Sequence, residues 1–87
     1  HLNYSQVRLK TQKTLWGSCS NANNINLNYL LIMAPMSVID YVIVHELCHT
    51  IHKNHSKDFW HLVEQIFPNY KADKSWLKKN GHKLQNL

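Results

Sequence analysis

Residues 45–49 read His-Glu-Leu-Cys-His. On a helix, side chains four positions apart stack one turn above the other, so His45 and His49 can aim two imidazoles at one metal ion. Zinc takes histidine nitrogens at about 2.0–2.1 Å, which demands convergent rings. Glu46 is offset from His45 by about 100° on a helix of 3.6 residues per turn. It stands beside the metal without ligating it, where a base can take a proton from a water the metal activates. A catalytic zinc typically has three protein ligands and one open position. His55 follows His49 by six residues, past a break at Lys53-Asn54, and is the expected third ligand. The pattern predicts a zinc hydrolase with His45, His49 and His55 as metal ligands and Glu46 as general base.

The ligand spacing is that of the metzincin pattern H-E-x-x-H-x-x-G-x-x-H. His52 stands at the glycine position, and the two methionines, Met33 and Met36, precede the motif, so no Met-turn follows it. These departures argue against a metzincin proper. His52 and Cys48 lie within reach of the same helix face. His52 reads as a surface residue at a helix end, and Cys48 as a small buried hydrophobe. Asp58 or Asp40 could orient a ligand imidazole, and spacing does not choose between them. Trp16 and Trp60 read as core side chains before substrate platforms.

The elements that must position these residues follow from periodicity. Val7 to Lys10 alternates apolar and basic residues. The Asn21-Ala22-Asn23-Asn24 segment suits a tight reversal, because Asn tolerates positive φ. It predicts a β-hairpin joining Leu15–Ser20 to Ile25–Asn28, with Leu15, Ile25 and Leu27 partly buried. Pro35 fits the first turn of a helix. Val38, Ile39, Val42, Ile43, Leu47 and Ile51 then give an apolar stripe at helical spacing, predicting a buried helix to about His52. Asn54 is a candidate for a left-handed closing residue. Ser56 is a candidate N-cap, with Asp58 in the first turn of a second helix that Pro68 stops. A third helix is expected over Lys71–Asn80, with Trp76 and Leu77 inward, Gly81 as its stop and a loose tail beyond.

Bulk properties bound the reading. With 87 residues and 44% hydrophobic content the chain suits one domain, in which a metal would add needed stability. No apolar run reaches the roughly 20 residues of a membrane span, so no membrane partner is expected. Two cysteines, Cys19 and Cys48, are too few for a disulfide framework; they read as free thiols in a reducing cytoplasm. The net charge is +5, with Lys71, Lys74, Lys78, Lys79 and Lys83 near the end. This is a solvated face or a surface for a nucleotide or nucleic acid.

Several blocks together resemble a known family: Trp16-Gly17-Ser18-Cys19-Ser20, Asn24-Ile25-Asn26-Leu27-Asn28, Ala34-Pro35, Tyr41 through His49, and Asn54-His55-Ser56-Lys57-Asp58-Phe59-Trp60. In this order they resemble the YgjP-like bacterial metallopeptidase-like proteins, related to SprT-like and WLM-type zinc proteases, over about Val7 to Lys79. The resemblance implies an α+β fold with a minimal zincin-like core: a small antiparallel sheet packed on the active-site helix, with two helices following. It implies His45, His49 and His55 as zinc ligands and Glu46 as the catalytic glutamate. It also implies that residues 1–87 form one domain, the C-terminal part of a longer protein. A peptide or protein substrate is expected. Nucleotide hydrolysis and a zinc-stabilised DNA-associated binding module are the alternatives, and the oligomeric state is open.

Overall fold

A computed structural model of the chain describes residues 6–10 and 16–85. Asn23 turns the chain, with φ 63°. Its N–H donates to the Ser20 carbonyl at 2.9 Å, while Ser20 Oγ accepts from the Asn24 N–H at 3.1 Å. This turn joins β2 (Gly17–Cys19) to β3 (Asn24–Asn28) as the expected antiparallel hairpin. Ile25 and Leu27 point inward and are buried; Leu15 lies outside the described residues.

The sheet departs from the antiparallel expectation. β1 (Gln6–Lys10) pairs in parallel with β3, giving the order β1-β3-β2 and a mixed sheet. A local hairpin signal cannot report this pairing, because β1 skips its sequence neighbour to lie beside the later strand.

A 3-10 helix at Tyr29–Met33, absent from the sequence reading, leads into the first long helix. Asn28 caps it, its Oδ1 accepting from the Leu30 N–H at 3.0 Å. The helix α1 spans Met36–Cys48, with Pro35 one position earlier than expected, as N-cap. The Pro35 carbonyl accepts from Val38 and Ile39. α1 ends four residues before His52. Thr50 Oγ1 donates to the Leu47 carbonyl at 2.6 Å, and the N–H groups of His49, Thr50 and Ile51 make tight three-residue bonds. Such bonds use up the last carbonyls of the helix without extending it. Asn54 is not left-handed; among the described non-glycine residues only Asn23 has positive φ.

The helix α2 spans Lys57–Ile66, and Ser56 caps it as predicted, its Oγ accepting from the Phe59 N–H at 3.3 Å. Pro68 follows its end. The helix α3 spans Tyr70–Gln85 and runs through Gly81. A glycine inside a helix costs only about 0.5–1 kcal/mol relative to alanine, too little to stop it.

α1 packs against α2, α3 and β2. The core gathers Ile25, Val38, Val42, Cys48, Phe59 and Val63. Among the described residues no helix is long and apolar enough to cross a membrane. The fold is α+β.

Candidate metal centre

α1 presents His45 and His49 on one face, and the chain turns back so that His55 meets them just before α2. The nearest nitrogens are His49 Nε2 and His55 Nε2 at 3.1 Å, and His55 Nε2 and His45 Nε2 at 3.2 Å. One ring nitrogen from each of the three lies within 4.8 Å of the others. Ligand nitrogens around a tetrahedral zinc, at about 2.05 Å from the metal, stand about 3.3 Å apart. The donor set therefore fits a divalent ion: three ring nitrogens converge, two of the pairs at ligand-to-ligand spacing.

The opposite nitrogens of two rings are held. His49 Nδ1 lies 2.8 Å from the His52 carbonyl, which can only accept, so Nδ1 carries the proton and Nε2 offers its lone pair. His45 Nδ1 lies 3.3 Å from Tyr41 Oη, one turn back along α1. His52 thus serves through its backbone rather than its ring. Among the described residues neither Asp58 nor Asp40 bonds the His45, His49 or His55 ring. Tyr41 and the His52 carbonyl do so instead, and Tyr41 was missed by the sequence reading although it sits four residues before His45.

Phe59, fully buried, floors the three rings. Its centroid lies 5.0 Å from His45, 4.3 Å from His49 and 5.1 Å from His55. Trp60 stacks on His55 at 5.7 Å and on Tyr70 at 5.4 Å. His55 is exposed, and Phe59 and Trp60 pack against its ring. Trp60 is thereby both a packing residue and a wall of the site.

Burial sets the charge states. His45 is pulled down to about 3, first by burial and then by His49, His55 and Lys74. Burial also lowers His49, partly opposed by its bond to the His52 carbonyl. Both rings are therefore neutral near pH 7, the form that binds metal. Glu46, only 6% exposed, is pushed up to about 7 by burial. A carboxyl poised near neutrality both takes and returns a proton readily.

Glu46 owes its place to β2 as well as α1. A Cβ on Gly17 would come within 2.9 Å of Glu46 Cγ, 3.0 Å of Oε2 and 3.2 Å of Val42 Cγ1. Gly17 lets the strand approach closely enough to flank the carboxylate. Trp16, Gly17, Tyr41, Val42, His45, Glu46 and Leu77 line a cavity of about 220 Å³ on that side. Lys53 anchors β2 from the other direction. Its Nζ donates to the Ser20 carbonyl at 2.9 Å and to Asn23 Oδ1, tying the hairpin turn to the segment after α1.

The remaining candidates fall outside the cluster. Cys48 is fully buried in the core, and burial raises its thiol to about 11. Cys19 and Cys48 are both free. His61 is exposed on α2.

The family model described as YgjP-like, metallopeptidase domain, matches residues 1–80. No curated protein matches the chain.

Proposed function

This chain belongs to the YgjP-like family, and on that premise we propose that it is a zinc-dependent peptidase whose ion is held by His45, His49 and His55 and whose base is Glu46. A zinc ion so held supplies Lewis acidity, lowering the pKa of water toward about 7 and polarising a carbonyl oxygen. The chain's own residues do the rest. Glu46 takes the proton of the attacking water on a carboxylate oxygen and hands it to the leaving amine nitrogen as the C–N bond breaks. Burial keeps that proton exchangeable near pH 7. Tyr41 and the His52 carbonyl hold two imidazoles in register, and Phe59 keeps water from behind them.

The observation that carries this reading is the convergence of three ring nitrogens at 3.1 and 3.2 Å with a buried glutamate next along the same helix. A purely structural zinc site closes all four positions with protein ligands and needs no base. The test is Glu46→Gln. Protein purified without added metal should contain near-stoichiometric zinc in both forms, and the variant should lose peptide cleavage by about 10²-fold or more. Wild-type turnover in the variant would remove Glu46 from the role.

The hollow on α3 lined by Tyr70, Lys71, Lys74, Ser75 and Lys78 favours the second reading, an anionic substrate or partner such as a nucleotide or DNA. Lys74 lies over the Trp60 ring, 4.2 Å from its centroid, which links that basic surface to the wall beside His55. Parallel assays on casein, nucleoside triphosphates and DNA separate the two.

A further inference from the structure

We infer that the cavity beside Glu46 receives one aliphatic side chain of a peptide substrate, making the chain selective for a leucine-sized residue next to the cleaved bond. This rests on the peptidase reading above. The cavity is lined by Glu46 and His45 together with Trp16, Val42 and Leu77. An occupant is therefore held next to the reacting groups, where binding can be used to position a bond.

Size and chemistry select the occupant. At about 220 Å³ the cavity is smaller than the roughly 300–1,000 Å³ of pockets that enclose drug-sized ligands, so it takes a side chain and not a nucleotide. Among the described residues no lysine or arginine lines it, and Glu46 repels a phosphate. Its walls are mostly apolar, and the polar groups on its rim are Glu46, His45 and Tyr41. Placing a leucine-sized side chain in such walls favours it over glycine by roughly 10- to 100-fold.

The three walls come from three parts of the chain: Trp16 and Gly17 from the β2 end, Val42 from α1 and Leu77 from α3. Leu77 is half-buried and lines the cavity from α3. Its size sets the depth of the pocket, which makes it the specificity-determining residue.

Two measurements test the inference. In the first, the protein as purified is titrated with N-acetyl-leucine amide, N-acetyl-glycine amide and N-acetyl-lysine amide, and followed by NMR. The leucine amide should shift the Val42 and Leu77 methyl resonances and the Trp16 indole, at least tenfold more tightly than the others. In the second, a peptide library is cleaved by zinc-loaded protein. Leucine, isoleucine or methionine should be preferred at one flanking position. Leu77→Phe should move that preference at least tenfold toward alanine or glycine, and Leu77→Ala should move it toward phenylalanine. These opposite shifts cannot both come from misfolding. Shifts at other residues, equal binding of the lysine amide, or a preference unchanged in both variants would overturn the pocket. Leucine amide bound at these residues by a protein that cleaves no peptide would keep the pocket and remove the peptidase reading.

Discussion

On the helical side of the site, His45, His49 and His55 lie within ten residues of one another, and a helical turn plus one chain reversal brings them together. On the strand side, Gly17 and Trp16 reach the same place from far upstream, carried by a hairpin that Lys53 ties down. In the proposed function the helical side uses residue type: an imidazole is needed at each of three positions. The strand side uses absence and shape: Gly17 matters because it has no Cβ, and Trp16 because it fills a wall. The two sides should therefore fail differently. Damage to the first removes the metal, and damage to the second leaves the metal and misplaces the base.

The sharpest break falls on the helical side. His55→Ala should weaken zinc binding by about 10³-fold, because two imidazoles alone leave the site incomplete. His52→Ala should change it little, since only the His52 backbone carbonyl is used. Cys48→Ala should also leave affinity nearly unchanged, because that thiol packs in the core. Zinc titration against a chelating indicator ranks the three, and the reverse order would mean the ligand set is wrong.

Glu46 belongs to both sides, and its burial predicts a pH signature in the metal-free protein. Its carboxyl is raised in the folded state to about 7 from an ordinary 4.5. Between those values the folded chain holds more protons than the unfolded one, so stability falls as pH rises. Above about pH 7 the full cost of a buried carboxylate is present, at most about 3 kcal/mol. Glu46→Gln should accordingly be more stable than the parent at pH 8 by about 2 kcal/mol, with the difference gone at pH 4.5 and below. Urea unfolding at the two pH values measures it; a constant difference would show that ionisation of Glu46 is not its source.

The strand side is broken by Gly17→Ala. The added methyl meets the Glu46 side chain at Cγ and Oε2 and then the Val42 methyl, so Glu46 must shift to admit it. We expect peptide turnover to fall about tenfold or more while zinc affinity stays within about threefold, since a displacement near 1 Å can cost up to about 10²-fold in rate. Shortening the base in the same background, Gly17→Ala with Glu46→Asp, should recover part of the loss. Equal loss of zinc and turnover would erase the contrast between the two sides.

The smallest effect sharpens the helical side. Tyr41→Phe removes the hydroxyl beside His45 Nδ1. Such outer partners of ligand histidines are worth about 10-fold or more in metal affinity. A loss near tenfold on zinc titration fits that role; no change would leave Tyr41 as packing alone.

Much of this site is legible in the order of residues. His-Glu-Leu-Cys-His on an apolar helix, a break, then His55 needs only the rise and turn of a helix to converge. The Asn-rich reversal and the Ser56 cap are equally local, each closing through bonds within four residues. Helix ends were read less well. α1 stops at Cys48 because Thr50 and the N–H groups after it take the last carbonyls, and α3 passes through Gly81 because one glycine costs too little to end it.

What tertiary structure alone decided lies between distant elements. The parallel pairing of β1 with β3, the approach of Gly17 to Glu46, and the meeting of Trp16, Val42 and Leu77 around one cavity have no signature in any window of sequence. Periodicity reports which face of an element is apolar, but it does not report which other face covers it. A helical turn fixes neighbours three and four residues apart by backbone geometry. Contacts across the fold are set by how whole elements fill space together, and this decided where the Glu46 carboxyl sits and what stands beside it.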